Sequence, residues 1–143
     1  MLVKLLIAWL LMAVCVVIHS IGLVAAGHWV KKRAFHNDRS FWHVIRLVVD
    51  IAGWTILLHL IEIGVWAVFY TLGSGLPDLS TAFYFSMVTY TTTGYGDVVL
   101  PPEWRMVGGV EALTGILMCG LSTGLFFAVL SRMFARRFDS NTD

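Results

Sequence analysis

The sequence predicts an all-α membrane protein with three transmembrane helices and one shorter helix that enters the membrane and returns. Hydrophobic residues make up 58% of the 143 residues and charged residues make up 13%, whereas soluble domains carry about 25% charged residues. Three apolar runs, at residues 5–27, 47–72 and 106–130, are each long enough to cross a hydrocarbon core of about 30 Å. A soluble core of this size could not bury so much apolar surface.

A fourth apolar run, at residues 79–90, is too short to cross the membrane. Pro77 and Asp78 precede it, and a threonine- and glycine-rich stretch follows it. Proline suits the first turn of a helix, and we expect Asp78 or Ser80 to cap this one. The pattern therefore predicts a re-entrant half-helix over residues 80–90, with extended backbone after it.

Lysine and arginine residues indicate the orientation of the spans. The connection between the second and third spans carries only Arg105, whereas the first connection and the C-terminal segment are basic. Because cytoplasmic loops carry the excess of Lys and Arg, we expect a multi-pass cell-membrane protein with its N-terminus outside and its C-terminus in the cytoplasm. The re-entrant segment then opens outward. Six of the basic residues form a rim suited to anionic lipids: Lys31, Lys32, Arg33, Arg132, Arg136 and Arg137.

A cleaved signal peptide ending near residues 24–26 is an alternative interpretation of the first apolar run. The run is longer than the 7–15 residues usual in a signal peptide. Cleavage would also leave Lys31 and Lys32 outside the cell, against the distribution expected of basic residues. We therefore expect the first span to be retained.

The segment from Thr81 to Asp97 reads TAFYFSMVTYTTTGYGD. Glycine accepts backbone conformations that other residues avoid, so the alternation of Gly94, Tyr95 and Gly96 allows successive carbonyls to face one axis. Irregular backbone within a membrane is tolerated where it lines a watery cavity, and carbonyl oxygens can replace the water around an ion. The C-terminal end of the half-helix carries a partial negative charge. The pattern therefore predicts a pathway for cations.

This segment resembles the pore of the potassium channel family, whose signature is Thr-Val-Gly-Tyr-Gly-Asp after an aromatic-rich helix. The match to the voltage-gated branch has no gaps over residues 81–97, and it extends as a pattern over residues 47–130. The resemblance implies a selectivity filter of Thr92, Thr93, Gly94, Tyr95 and Gly96, in which the carbonyls of the first four residues coordinate potassium. Since the chain has one such motif and no repeat of it, closure of the pore requires symmetry, and the resemblance implies a homotetramer.

The resemblance implies a potassium-selective channel subunit that is not an enzyme and that holds potassium ions but no cofactor. The domains implied in this way are an N-terminal span with its basic connector at residues 1–46, a pore domain at 47–131 and a short cytoplasmic tail at 132–143. The net charge of +1 gives no case for nucleic-acid binding, which requires a clustered basic face. Membrane insertion alone explains the basic rim as well as lipid binding does.

The segment departs from the family pattern at three positions. Thr93 stands where the family usually has valine, and its hydroxyl needs a partner, which could loosen selectivity. Tyr84 and Phe85 replace the usual tryptophan pair that supports the filter, and Asp97 is expected at the outer mouth beside this support. A weakly selective sodium and potassium channel is therefore the second hypothesis.

Polar residues inside the spans are candidates for gating, since a charge at mid-membrane costs about 2.5–3.5 kcal/mol on insertion scales. His59 and Glu62 share one helix face. They could form a proton-sensitive latch, or a structural pair that packs against the half-helix or the first span. Glu111 is expected to contact the filter support of a neighbouring subunit. Gly115 and Gly120 permit either bending of the third span or close helix packing.

A remote alternative is a membrane haem or metal protein with His19, His59 and His43 as ligands. The spacing of these histidines is unspecific, and no CxxCH motif occurs in the sequence. This hypothesis also leaves the glycine-rich segment unexplained.

Overall fold

The computed structural model describes residues 2–34, 41–73 and 76–139. This part of the chain contains four α-helices and no strand, which confirms the all-α prediction. The helices are α1 (Leu2–Ala34), α2 (Phe41–Gly73), α3 (Leu79–Tyr90) and α4 (Arg105–Asp139), and a 3-10 turn at Pro102–Trp104 leads into α4. Helices α1, α2 and α4 are each long and apolar enough to cross a membrane.

The three long helices extend beyond the apolar runs that predicted them. Helix α1 continues through Lys31 and Lys32, and α2 begins at Phe41, six residues before the predicted run. The reason is that backbone hydrogen bonding continues past the apolar part of a helix, whereas a hydropathy signal marks only that part. The short helix α3, Leu79–Tyr90, coincides with the fourth apolar run.

Contacts at the two ends of the long helices show the directions of these helices relative to one another. The Lys4 ammonium lies 4.1 Å from the centre of the Trp104 ring and donates a hydrogen bond to the Glu103 carbonyl. At the opposite end, Val30 of α1 packs with Leu47 of α2 and Val129 of α4. Helices α1 and α4 therefore run in the same direction, and α2 runs against both.

Helix α3 begins at a side-chain cap. The Asp78 carboxylate accepts hydrogen bonds of 2.9 Å from both the backbone N–H and the hydroxyl of Thr81, as expected of an N-cap residue. Pro77 lies one residue before this cap rather than in the first turn, where the sequence placed it. At 12 residues, α3 is about 18 Å long, so it must be held by the helices around it.

The core beside α3 contains aromatic side chains from α2 and from α3 itself. Trp66, Tyr70 and Tyr90 are almost completely buried, and the rings of Tyr70 and Phe85 meet edge to face with centroids 5.1 Å apart.

Large apolar side chains also cover the outside of α1, as expected of a face that meets lipid or another subunit: Leu6, Trp9, Leu10, Val17 and Ile21 are exposed.

Gly115 is a point at which α4 lies very close to the end of α3. A Cβ atom at Gly115 would lie 1.9 Å from the carbonyl oxygen of Tyr90, the last residue of α3, whereas a Cβ at Gly120 would meet nothing within 4 Å. Helix α4 is continuous through both positions. In this conformation Gly115 therefore permits close packing rather than a bend.

The substitution Gly115→Ala is expected to destabilise the protein by about 1–3 kcal/mol, because the new methyl group clashes with backbone that cannot move alone. Gly120→Ala is the matched control, since alanine favours a helix and has free space there. The measurement is the unfolding midpoint in detergent. Equal midpoints for the two variants would contradict the close contact at Gly115.

Candidate ion-conduction site

The segment that follows α3 has an unusual backbone. Residues 91–97 are all exposed in the single chain, and φ is positive at alternate positions: 59° at Thr92, 51° at Gly94 and 79° at Gly96. The sequence predicted this freedom for the two glycines. It did not predict Thr92, a β-branched residue that rarely adopts positive φ. Such backbone outliers concentrate at functional sites, and no sequence signal identifies this one.

Hydrogen bonds fasten the start of this segment to the end of α3. The Thr92 N–H donates to the Thr89 carbonyl at 2.9 Å, and the Gly94 N–H donates to the Val88 carbonyl at 3.0 Å. These bonds use helix-end carbonyls that otherwise lack partners. The chain therefore leaves the helix in a tight turn, and the position of the segment depends on that of α3.

The side chains of this segment face different surroundings. The Thr93 and Thr91 hydroxyls are hydrogen-bonded at 2.9 Å, so the extra hydroxyl that replaces valine has a partner within the chain. Tyr95 is 72% exposed. The single chain supplies no cover for this ring.

Tyr84 and Asp97 connect α3 to the far end of the segment. The Tyr84 hydroxyl donates to the Asp97 carboxylate at 2.6 Å, and this hydrogen bond is the main cause that holds the pKa of Asp97 below its ordinary value. The pKa of the Tyr84 hydroxyl is raised by the same bond. Phe85, the other residue of the expected support, is buried against Tyr70.

Glu111 is fully buried between α4, α2 and α3. Its carboxylate accepts hydrogen bonds from the Tyr70 hydroxyl at 2.7 Å and from the Ser86 hydroxyl. The Ser86 hydroxyl also lies 3.0 Å from the Ile63 carbonyl. These partners belong to α2 and α3 of the same chain, and the contact with a neighbouring subunit stays a prediction.

A second buried carboxylate, Glu62, brings together residues from all four helices. It contacts His19 of α1 at 2.8 Å and accepts a hydrogen bond from the Tyr90 hydroxyl at the end of α3. His59, one turn away on α2, contacts that hydroxyl at 3.1 Å. Both histidines also contact Ser122 of α4, at 3.1 and 3.2 Å. The sequence paired His59 with Glu62 and expected the pair against the half-helix or the first span. It named His19 only as a haem ligand, and it did not identify Tyr90 or Ser122, which carry no local signal.

The histidines do not form the predicted haem site. The ring centroids of His19 and His59 are 5.2 Å apart, and the Nε2 atoms of both rings converge on Ser122, which leaves no gap for a haem plane. His43 lies sixteen residues before His59 on α2, about 24 Å along the helix. Ligand atoms of His19, His59 and Glu62 do lie within 4.8 Å of one another.

The basic residues proposed to bind lipid fall partly within the described structure. Lys31, Lys32 and Arg132 are exposed near the ends of α1 and α4 that meet the start of α2. The side chains of Arg33, Arg136 and Arg137 lie outside the described residues.

The substitution Tyr84→Phe is expected to raise the pKa of Asp97 towards its ordinary value, because the hydrogen bond to the charged form is lost. The bond favours the structure above that ordinary value, and its contribution disappears as pH falls through the lowered pKa. Carboxyl ¹³C titration of Asp-labelled protein measures the shift. Asp78, whose pKa is lowered chiefly by the Thr81 N–H, is the internal control. An unchanged Asp97 titration would contradict the contact.

Comparisons with known proteins agree with this geometry. A family model described as ion channel matches residues 54–132, more than half of the chain. The potassium voltage-gated channel protein Shal of Drosophila melanogaster is 37% identical over 65 residues, which cover 43% of this chain and 11% of that protein. The potassium voltage-gated channel protein shk-1 of Caenorhabditis elegans is 39% identical over 56 residues, which cover 38% of this chain and 10% of that protein.

The chain therefore spans about a tenth of the length of these curated relatives. No solved structure matches it. The family match covers α3, the segment after it and most of the two helices that enclose them, and ion channels are not a class of enzymes. The chain is a multi-pass membrane protein that belongs to the ion channel family, with the pore loop of potassium channels.

Proposed function

We propose that four copies of this chain form a potassium-selective pore in the cell membrane. The observation that carries the proposal is the alternation of positive φ at Thr92, Gly94 and Gly96 in an exposed segment between two spans. In an ordinary strand, successive carbonyls point to opposite sides. Alternation of positive and negative φ turns them to the same side, so a row of oxygens can replace the water shell of an ion.

In this proposal the carbonyls of Thr92, Thr93, Gly94 and Tyr95 coordinate potassium, and Gly96 ends the row. One segment supplies only one side of a pore, and four-fold symmetry supplies the others. The exposed ring of Tyr95 then finds its cover on a neighbouring subunit. Tyr84, Phe85 and Asp97 support the outer end of the filter, since Tyr84 ties Asp97 back to α3.

The orientation of the pore follows from the two ends of the helices. Lys4 and Trp104 lie together at the end where α4 begins, and this end is proposed to face outward with the N-terminus. The exposed residues Lys31, Lys32 and Arg132 lie at the other end, which faces the cytoplasm and anionic lipid. Residues 47–131 form the pore domain, and the buried contact between α1 and Glu62 is a reason to retain the first span.

Potassium preference is favoured over weak selectivity by the position of the Thr93 hydroxyl. Its hydrogen bond to Thr91 gives it a partner beside the filter rather than in the path of the ion. The family resemblance, in which valine stands at this position, supports the same preference because threonine has nearly the same volume.

Flux through the purified protein in liposomes tests the proposal. We expect potassium flux that is blocked by barium, and sodium flux lower by about tenfold or more. Gly94→Ala should abolish potassium flux, because alanine does not readily adopt positive φ. Gly109→Ala is the control, since Gly109 lies within α4 with free space around it and the variant should conduct.

A monomeric or dimeric assembly in detergent would contradict the proposed pore, and so would normal flux through Gly94→Ala. Crosslinking before electrophoresis measures the number of subunits independently of conduction.

The substitution Thr93→Val distinguishes the two selectivity hypotheses. If the filter is already potassium-selective, the ratio of potassium to sodium permeability should change by less than about threefold, because the hydroxyl faces Thr91 and not the ion. A rise of about tenfold or more would support the weakly selective channel. Reversal potentials in mixed potassium and sodium measure this ratio.

A further inference from the structure

The five polar residues around Glu62 form a closed ring of hydrogen bonds. The order around the ring is His19, Glu62, Tyr90, His59 and Ser122, and the last residue returns to the first. The four residues other than His59 are at most 6% exposed. Every helix contributes at least one member, so the ring is the place where α1, α2, α3 and α4 meet through polar groups.

The number of hydrogens in this ring follows from its connections. When Glu62 is ionised it can only accept, so the Tyr90 hydroxyl and the His19 Nδ1–H both donate to it. The Tyr90 oxygen must then accept from His59 Nδ1–H. The Nε2 atoms of both histidines remain, and they face the single hydroxyl hydrogen of Ser122.

Ser122 can donate to one Nε2 atom and must accept from the other. One of the two imidazoles must therefore carry an extra proton if all five contacts are hydrogen bonds. The same five hydrogens also complete the ring when Glu62 is protonated and both imidazoles are neutral. The ring has zero net charge in either arrangement.

We propose that this ring is a binding site for one dissociable proton, and that the bound proton fastens the inner helix α4 to α1 and α2. Without that proton, four hydrogens remain for five contacts, and two Nε2 lone pairs face one hydroxyl. When His59 keeps its hydrogen on Nδ1, as its bond to Tyr90 requires, the contact that fails is one of the two to Ser122.

Burial supports the bound state of this site. Loss of the proton leaves a net negative charge on groups that are almost entirely buried, and a buried charge without a partner is costly. Among the residues that the structure describes, the thiols Cys15 of α1 and Cys119 of α4 also interact electrostatically with Glu62. Neutral thiols cannot compensate the lost charge. His59 is 18% exposed and is the member through which a proton can enter.

A metal ion fits this site less well than a proton does. His19, His59 and Glu62 provide suitable ligand atoms, but each already has a hydrogen-bond partner in the ring. Binding of a metal would break these bonds, whereas the proton completes them.

The position of Tyr90 connects this site to conduction, a step that rests on the proposed channel function. Tyr90 is the last residue of α3, two residues before Thr92, and its carbonyl lies against Gly115 of α4. A change in how α4 is held at Ser122 therefore reaches the inner end of the filter through rigid contacts. We infer that conduction changes with pH when the ring gains or loses its proton.

Two substitutions should fix the ring in opposite states: one keeps all five hydrogen bonds closed, and the other keeps the contacts at Ser122 open. In Glu62→Gln the amide N–H can donate to His19 while the amide oxygen accepts from Tyr90, so the ring closes without a dissociable proton. In Ser122→Ala the two Nε2 atoms lose their common partner, and the ring stays open. Ser131→Ala is the matched control for the second variant, because the Ser131 hydroxyl contacts only the Phe127 carbonyl of its own helix.

Nuclear magnetic resonance of protein labelled with ¹⁵N-histidine and ¹³C-glutamate in bilayers counts the protons directly. As pH is raised across the range in which the protein stays folded, His19, His59 and Glu62 should together lose one proton in the wild type. Both histidines should stay neutral in Glu62→Gln over the same range. His28→Gln, which alters an exposed histidine bonded only within α1, should leave the signals of the ring unchanged.

Potassium flux measured across the same pH range supplies the second readout. The potassium flux through Glu62→Gln should equal that of the wild type at acid pH. The flux through Ser122→Ala should equal that of the wild type at alkaline pH. Neither flux should change with pH. The Ser131→Ala control should keep the wild-type response.

Independent uptake of two protons by His19 and His59 would overturn the proton site, whatever the flux. One shared proton with a pH-independent flux would overturn the link to conduction. A protein that shows one shared proton but no potassium flux at any pH would instead contradict the channel function on which that link rests.

Discussion

The structure depends on how a short helix is held inside an apolar environment. Helix α3 is about 18 Å long, too short to reach both faces of a membrane. Two buried carboxylates hold it instead. Glu111 accepts a hydrogen bond from Ser86 in its middle, and Glu62 accepts one from Tyr90 at its end. Each carboxylate is itself satisfied by a second partner, as the cost of a buried charge requires.

The position of α3 in turn fixes the backbone after it. The first turn of the exposed segment is fastened to the carbonyls of Val88 and Thr89, and its far end is fastened through Asp97 to Tyr84. Gly115 allows α4 to press against the last carbonyl of α3. The unusual φ angle at Thr92 persists because both sides of it are constrained, which is the usual condition for backbone strain in a native structure.

Helix α1 lies outside the residues that match the ion channel family, yet it contributes a buried group to the centre of the chain. His19 reaches Glu62 of α2 and Ser122 of α4. At the other end of the helix, Lys4 packs on Trp104. The first span is therefore joined to the pore-loop helices at two depths, and the polar contact at Glu62 relates its position to that of α3.

The sequence by itself determined the features that arise from neighbouring residues. Hydropathy marked the three spans and the short helix, Asp78 marked the start of α3, and the glycines marked where the backbone turns. Tertiary structure alone decided the partners of the buried carboxylates, because His19 and Glu62 are 43 residues apart and His19 and Ser122 are 103 apart. No local pattern encodes such a contact, since it exists only once the helices have packed. The left-handed Thr92 has the same origin, because threonine adopts that conformation under constraints that its neighbours in sequence do not supply.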